Sequence, residues 1–573
     1  MKKYRYAIIV GCCLALLIVM ALPATKVIGA FNTRFFDGGG APAAGWALYQ
    51  PKKSGYQLNL VPGAAKVSDE AATEGFGSIS NSVASQESNK MTATQRNQFT
   101  ELTANTIKLA KEQPVSTFSI DVDTASYGFV RNLLNSNLQP TKDAVRIEEL
   151  VNYFPYDYPA ADNLQQPFKT TVKVLPCPWN PANKLMHIGI KGYQHSQQTR
   201  PKANLVFLID VSGSMADANK LSLVQPALKM LLDTLNADDS VAIVTYAEQV
   251  KLALEPTNVR DKAKIINVID SLHADGGTAG GAGIQLAYQT AKQHFDAKGV
   301  NRVILATDGD FNIGISDPKE LKSFIERERA SGIALSVLGF GLGNYNDALM
   351  QTLAQNGNGN ALYIDTLNEA RKALVDQAGA TLFTIAKDVK IQVEFNPAQI
   401  AEYRLLGYES RLLNREDFNN DQVDAGEIGS GHTVTAIYEI TPVGSQGRMI
   451  DALRYQAKQG DTANTGTNTN EYAQIKIRYK LPHEDVSQLI NTIVDARQEL
   501  TDWQQASEDT RFSVAVAAFG QLLRGDPTTQ KFTYQNAIEL AQNAKGSDPF
   551  GYRAEFINLI RLAKALPVTA AGN

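Results

Sequence analysis

The stretch LVFLIDVSGSM, residues 205–215, is an apolar run that ends in a short polar segment. The run is typical of a buried strand in a parallel sheet, and Asp210, Ser212 and Ser214 lie where it ends. The loops that follow parallel strands converge at the sheet edge where ligands usually bind. The stretch therefore predicts a central strand that presents oxygen atoms at this edge.

The surrounding sequence, residues 203–383, alternates short apolar runs with amphipathic segments. This alternation is typical of an α/β fold with a doubly wound, mostly parallel sheet that is covered by helices on both faces. Leucines at helical spacing predict a helix around residues 221–235, where Pro226 would have to lie in the opening turn or interrupt the helix. Strands are predicted at residues 204–209, 240–246, 302–306, 333–340 and 361–364.

On both sides of this block the pattern changes to β-rich flanks, with strands predicted at residues 168–174, 185–190, 389–395, 433–440 and 473–481. Two such flanks around one α/β block suggest a single β-sandwich that the block interrupts. Residues 484–566 are predicted to be helical, since Tyr552, Phe556, Leu559 and Ile560 form an apolar stripe.

The composition excludes several classes of protein. The 573 residues include 20% charged residues and carry a net charge of −4, which is typical of a globular chain with several domains. No run of Lys and Arg forms the basic surface that a nucleic acid partner requires. Cys177 is the only cysteine beyond Cys12 and Cys13, so no disulfide can form among the later residues.

The N-terminus has the charge order of an export signal, because Lys2, Lys3 and Arg5 precede an apolar run at residues 7–22. This run is shorter than the roughly 20 residues that span a bilayer, so residues 1–30 are either a signal peptide or an uncleaved membrane anchor. We expect an extracytoplasmic protein of the cell envelope, either periplasmic or membrane-anchored. Residues 31–113 are poor in apolar side chains and predict a flexible, low-complexity tether.

Two further loops of the α/β block carry oxygen donors: Gly276, Gly277 and Thr278 precede a helix, while Thr307, Asp308 and Gly309 follow a strand. An oxygen-only set without His or Cys favours Mg²⁺ or Mn²⁺ over zinc or copper. Two carboxylates leave such an ion unsaturated, so a carboxylate from outside can complete the coordination. The predicted metal ligands are Asp210, Ser212, Ser214, Thr278 and Asp308.

A simpler explanation for part of this set is helix capping, a common role for Asp and Ser. It would account for Asp210, Ser212 and Ser214 alone, but not for the two other loops.

The DxSxS pattern at residues 210–214, Thr278 after paired glycines, and TDG at residues 307–309 together resemble the metal-ion-dependent adhesion site of von Willebrand factor type A (VWA) domains. The resemblance implies a Rossmann-like fold in which Ser212, Ser214 and Thr278 bind the metal directly. It also implies that Asp210 and Asp308 bind the metal directly or through water.

Residues 116–127, 144–158, 415–438 and 507–524 resemble segments of the YfbK-like bacterial VWA proteins. With this resemblance, the expected organisation is a signal peptide or anchor (1–30), a tether (31–113), a VWA-associated cap with β-strands (114–200), a VWA domain (203–383), a β-rich domain (384–483) and a C-terminal helical region (484–567).

The first functional hypothesis is a non-enzymatic module that uses its metal to bind an acidic residue of a partner protein. Two alternatives stay open. Asp121 and Asp123 partly match the nucleophile motif of haloacid-dehalogenase-like phosphatases, although Ala125 replaces its Thr or Val. In the structural alternative, an acidic residue of a flanking domain occupies the metal site.

Overall fold

The computed structural model describes residues 99–196, 199–277, 280–309, 318–341, 346–423, 425–451, 470–529 and 531–566. All of them belong to one structural unit, Phe76–Asn573. The predicted signal or anchor, most of the predicted tether and Thr278 lie outside the described residues. Within the described ranges, no helix combines the length and apolar character that a bilayer span requires.

The described strands are rich in β-branched and aromatic residues, which pack well on a pleated surface. They are β1 (Lys108–Leu109), β2 (Val115–Ser119), β3 (Phe168–Pro176), β4 (Lys184–Gly192), β5 (Ala203–Asp210), β6 (Ser240–Tyr246), β7 (Val250–Asn258), β8 (Val300–Thr307), β9 (Ala334–Phe340), β10 (Ala361–Ile364), β11 (Thr384–Phe395), β12 (Ile400–Leu405), β13 (Leu412–Leu413), β14 (Ile428–Gly429), β15 (Thr433–Pro442), β16 (Glu471–Lys480) and β17 (Gln488–Asp495).

The described α-helices mostly bury one apolar face against a sheet or a neighbouring helix. They are α1 (Ala125–Asn135), α2 (Ile147–Val151), α3 (Leu221–Thr234), α4 (Lys262–Ser271), α5 (Gly280–Gln293), α6 (Pro318–Ala330), α7 (Asp347–Asn356), α8 (Leu367–Arg371), α9 (Ala378–Leu382), α10 (Glu508–Arg524), α11 (Tyr534–Asn543) and α12 (Tyr552–Ala565).

Strand β5 lies inside a six-stranded sheet with the order β10-β9-β8-β5-β6-β7. Neighbouring strands run parallel except β6 and β7. Along β5, Leu205 and Phe207 enter one apolar core while Val206 and Leu208 enter another, because successive side chains of a strand point to opposite faces. Helices α3 and α4 cover the first core, and α5 and α7 cover the second. The predicted doubly wound α/β fold is confirmed.

Two details of this domain were not predicted. Strand β7 adds an antiparallel edge to β6, and its sequence contains Pro256, a residue that weakens the strand pattern. Helix α3 continues through Pro226, which lies inside it rather than in its first turn. The buried side chains of Val224, Leu228 and Leu231 hold this helix on the sheet despite the proline.

The strands on both sides of the parallel sheet form one β-sandwich. One of its sheets has the order β1-β12-β15-β4-β3, the other has the order β13-β2-β11-β16-β17, and β14 pairs with β11. Each sheet combines strands that precede the parallel sheet in sequence with strands that follow it. Phe118, Ile188 and Ile475 contribute to the apolar core that the two sheets share. The structure thus confirms a single sandwich interrupted by the α/β domain.

The helical region begins later than the sequence predicted. Residues 488–495 form β17, which pairs with β16 along its length, so a helical region starting at residue 484 is wrong for this segment. Its apolar residues come in adjacent pairs that fit either structure, and pairing with β16 decides the outcome. Helices α10 to α12 follow and share an apolar core with the cap, to which Phe512, Phe556 and Phe154 contribute.

The folded region also begins earlier than predicted. The Phe99 ring packs edge-on against Phe129 with a centroid distance of 4.7 Å. The Asn105 side chain donates hydrogen bonds to the carbonyl oxygens of Leu405 and Gly407 at 3.1 and 2.7 Å, and β1 pairs with β12. The prediction of a flexible tether up to residue 113 is therefore wrong for residues 99–113, because one aromatic ring and one amide anchor this polar segment.

Arg131 on α1 connects the cap, the parallel-sheet domain and the C-terminal helices. Its buried guanidinium pairs with Asp365, which follows β10, and with Glu369 on α8. It also contacts Glu555 on α12 at 3.2 Å and donates to the Tyr153 hydroxyl at 2.8 Å. These contacts hold the three parts of the chain in one arrangement.

Arg131→Met should lower the free energy of unfolding by about 3–5 kcal/mol, since Asp365 and Glu369 keep their charges inside the protein without the arginine. The matched control is Lys202→Met, which breaks an exposed ion pair with Asp238 and should leave stability nearly unchanged. Urea unfolding of both variants measures the difference. Equal losses in the two variants would contradict the role of Arg131.

Candidate functional site

Two buried carboxylates lie side by side at the carboxyl edge of the parallel sheet. Asp210 ends β5, and Asp308 directly follows β8. These strands pair in parallel with Ile209 opposite Ala306, so both carboxylates reach the same edge. Their exposures are 0% and 1%. Two buried like charges are unfavourable unless cations or hydrogen-bond donors compensate them.

The loop after β5 brings two serine hydroxyls beside these carboxylates. The Ser212 backbone N–H donates to Asp210 Oδ1 at 2.9 Å, which turns the chain back over the strand end. The Oγ atoms of Ser212 and Ser214 are 3.1 Å apart. Gly213 N–H donates to the Gly276 carbonyl at 3.0 Å, which ties this loop to the loop that contains Thr278. The described structure thus brings together Asp210, Ser212, Ser214 and Asp308, while the position of Thr278 stays a prediction.

Two hydroxyls outside the predicted ligand set support Asp210. Tyr246, at the end of β6, donates to Asp210 Oδ2 at 3.0 Å, and Thr307 donates to the same atom at 3.3 Å. Burial raises the pKa of Asp210 above its ordinary value, and Asp308 adds to the increase, while hydrogen bonds from Ser212 and Tyr246 oppose it. Both residues end strands beside β5, and although Tyr246 was missed in the sequence, the rule that strand ends converge could have found it.

Lys220, immediately before α3, is a second residue that sequence reasoning missed. Its ammonium is 3.0 Å from Asp308 Oδ2 and donates to the Ser214 carbonyl oxygen at 2.9 Å. Gly341 has a φ of +75°, and a Cβ there would collide with the Lys220 side chain, so the glycine leaves room for the lysine. Together, Asp210, Asp308 and Lys220 leave a formal charge of −1 in the site.

The mouth of the site is exposed and acidic at its rim. Gly213, Gly276 and Gly277 are exposed, so the sandwich and the C-terminal helices do not cover the mouth of the site in the described part of the chain. The exposure disfavours the alternative in which a flanking domain occupies the metal site. Three acidic residues surround the mouth, namely Asp217, which is 3.3 Å from Lys220, Glu248, which lies against Gly276, and Asp275, which accepts from Gly276 N–H.

The donors fit a small, hard divalent cation. They comprise two carboxylates and two described hydroxyls, without nitrogen or sulfur, and such oxygen sets suit Mg²⁺ and Mn²⁺. Within the described ranges, no group of three or more His, Cys, Asp or Glu residues is arranged to hold a metal. The candidate site is not a group of that kind, because only two of its predicted ligands, Asp210 and Asp308, are carboxylates and the others are hydroxyls.

Asp121 and Asp123, the predicted pair of the phosphatase alternative, are both bound by one arginine. Arg411 is 2.9 Å from Asp121 and 2.6 Å from Asp123. Asp123 also accepts a hydrogen bond from the Ala361 backbone N–H at 2.7 Å and is 1% exposed. A nucleophilic carboxylate must reach a substrate, which burial prevents for Asp123. The ion pairs with Arg411 favour a structural role for both carboxylates.

Three known protein families match segments of this chain. The von Willebrand factor type A domain matches residues 204–377, von Willebrand factor matches residues 93–187, and the family described as "Uncharacterized protein YfbK, C-terminal" matches residues 380–566. VWA domains typically mediate protein–protein interactions and are generally non-enzymatic adhesion modules.

The chain is 47% identical over 465 residues to "Uncharacterized protein YfbK" of Escherichia coli (strain K12), and the match covers 80% of each protein. It is 26% identical over 259 residues to inter-alpha-trypsin inhibitor heavy chain H3 of Mesocricetus auratus, which covers 41% of this chain and 28% of that one. A solved von Willebrand factor type A structure from Catenulispora acidiphila matches with 16% identity and a TM-score of 0.38, covering 69% of this chain and 89% of that chain.

Asp123→Asn should make the stability of the protein less sensitive to pH. Burial raises the pKa of Asp123 above its usual 3.8, and the Asp121 carboxylate raises it further, while Arg411 opposes both. The folded state therefore keeps a proton that the unfolded state releases, and this contribution to stability is lost as the pH rises above about 4. Urea titrations from acidic to neutral pH measure the free energy of unfolding. In the native protein this free energy should include a contribution from Asp123 that falls as the pH rises, and in Asp123→Asn that fall should be absent.

The control is Asp162→Asn, which changes an exposed carboxylate and should keep the native pH dependence. The same pH dependence in Asp123→Asn and the native protein would show that Asp123 ionises alike in the folded and unfolded states.

Proposed function

Because this chain belongs to the family of YfbK-like proteins with a VWA domain, we propose that it is an exported or membrane-tethered binding protein of the cell envelope. It uses a divalent metal, Mg²⁺ or Mn²⁺, to capture an acidic side chain of a partner protein. The residues that would hold the metal are Asp210, Ser212, Ser214, Thr278 and Asp308.

The observation that carries this proposal is the convergence of Asp210, Ser212, Ser214 and Asp308 at one exposed edge. The bound metal would supply positive charge and an open coordination position. A dication added to the formal charge of −1 leaves the site with one positive charge, because Lys220 already balances one carboxylate. A positive site attracts a carboxylate better than a neutral one.

The acidic rim adds a condition on the partner. Asp217, Glu248 and Asp275 would repel a purely acidic surface, and like charges brought together oppose association. The partner segment therefore combines a central carboxylate, which reaches the metal, with flanking Lys or Arg side chains that pair with the rim.

The export proposal is supported by the order of charged and apolar residues at the N-terminus. If residues 1–30 are retained, they tether the protein to the membrane, and if they are removed, the protein is periplasmic. The acidic net charge of −4 supports a protein partner rather than a nucleic acid. A phosphatase function receives no support, since Arg411 engages both Asp121 and Asp123.

Asp210→Ala should abolish saturable binding of Mg²⁺ and Mn²⁺, because it removes a carboxylate on which the cation depends. Isothermal titration with each metal measures this loss. Circular dichroism and urea unfolding check that the fold persists, although the Tyr246 and Thr307 hydroxyls lose an acceptor at an expected cost of about 1–3 kcal/mol. Asp217→Ala removes an exposed neighbouring acid and should retain metal binding.

Partner capture tests the next step. Envelope extract passed over the immobilised full chain should yield a protein that is retained with Mg²⁺, released by EDTA, and not retained by Asp210→Ala. Retention that is indifferent to EDTA and to this substitution would refute metal-dependent capture.

A further inference from the structure

A polar cavity of about 410 Å³ lies at the opposite end of the parallel sheet from Asp210. Strand β8 connects the two sites, because Arg302 near its start lines the cavity while Thr307 at its end contacts Asp210. The end of α7, the loop after it, and strands β11 and β14 of the sandwich form the other walls. Cavities of about 300–1,000 Å³ are typical of small-molecule sites.

Arg302 is a buried cation for which the described chain supplies no ion pair. It is 3% exposed, its Nη1 donates to Ser336 Oγ at 2.7 Å, and its Nε has no hydrogen-bond partner among the described residues. Burial lowers the pKa of Arg302, and the Glu427 carboxylate, which lies beyond ion-pair distance, opposes this shift. The other buried arginines in the described ranges all pair with carboxylates; they are Arg131, Arg146, Arg404, Arg411, Arg524 and Arg553. A buried charge that no carboxylate contacts directly is costly, and an anionic ligand would reduce that cost.

The other charged groups of the cavity leave an excess of positive charge. Asp121 is paired with Arg411 at 2.9 Å. Glu427 accepts hydrogen bonds from Asn358 at 2.6 Å and from Thr384 at 3.2 Å. Burial lowers the pKa of His432 to about 4, so it is neutral at pH 7. The charged lining residues are Arg302, Lys322, Arg411, Asp121 and Glu427, which sum to one positive charge.

The rest of the lining consists largely of neutral hydrogen-bonding groups. The amides are those of Gln355, Asn356, Asn358 and Asn360, and hydroxyls come from Thr352, Thr381 and Thr384. Amides both donate and accept, as hydroxyl groups do, and this combination matches the hydroxyls of a sugar. We infer that the cavity binds a small polyhydroxylated anion of monosaccharide size, a sugar acid or a sugar phosphate, whose anionic group pairs with Arg302.

Isothermal titration of the full chain tests this with three probes: glucuronate, glucose 6-phosphate and glucose. At least one anion should bind saturably with a Kd of about 1 mM or tighter, and neutral glucose should bind at least about tenfold more weakly, because a charge-assisted hydrogen bond is lost. Binding of glucuronate alone identifies a sugar-acid site, and binding of glucose 6-phosphate alone identifies a sugar-phosphate site.

Two variants locate the binding. Arg302→Met should weaken the anion at least about tenfold. Since this change alters a buried residue, Lys322→Glu on the exposed surface of α6 provides an independent test and should also weaken binding. The matched control, Arg327→Glu, makes the same charge change on the same helix outside the cavity lining and should bind like the native protein.

The inference is overturned if neither anion binds saturably, if glucose binds as tightly as the anions, or if Lys322→Glu and Arg327→Glu weaken binding equally.

Discussion

The parallel pairing of β5 with β8 is the constraint on which the carboxyl edge depends. Its register sets Ile209 opposite Ala306, so Asp210 at the end of β5 and Asp308 directly after β8 are buried at the same edge. Two buried carboxylates require positive charge or hydrogen-bond donors around them. The described residues supply part of this: Lys220 pairs with Asp308, and Asp210 accepts hydrogen bonds from Tyr246, Thr307 and the Ser212 backbone. A divalent cation is a natural complement to such a site, and the exposed glycine rim leaves it access.

The two ends of the parallel sheet have different chemistry. The carboxyl edge is exposed, rich in carboxylates and ringed by acidic side chains. The opposite end is enclosed by the sandwich and holds a buried arginine among amides and hydroxyls. The contacts of Arg131 with Asp365, Glu369 and Glu555 hold the cap and C-terminal helices against the parallel-sheet domain. A protein partner at one end and a small anion at the other would therefore act on one connected scaffold.

Local sequence was sufficient for the central strands, because LVFLID and its neighbours are apolar runs whose burial follows from composition alone. It was also sufficient to bring Asp210, Ser212, Ser214 and Asp308 together, since strand ends in a parallel sheet converge. It failed where a distant partner decides the outcome. Strand β17 depends on β16, and residues 99–113 depend on Phe129 and the Leu405 region.

The same reason explains the site residues that were missed. Nothing in the sequence around Lys220 shows that its ammonium reaches Asp308, which is 88 residues away. Likewise, nothing in the sequence around Arg302 shows that every described carboxylate lies beyond ion-pair distance of it. Asp121 and Asp123 resemble a catalytic motif in sequence, but in the structure Arg411 pairs with both. Charge compensation is a property of the folded molecule and is read from contacts, not from spacing.

Anomalous diffraction from crystals of the full chain grown with Mn²⁺ would show whether the carboxyl edge binds a divalent cation. We expect one Mn²⁺ at the carboxyl edge, coordinated directly by the Ser212 and Ser214 hydroxyl oxygens, with Asp210 and Asp308 bound directly or through water. Crystals without ion density at that edge, or with Mn²⁺ bound elsewhere only, would contradict it.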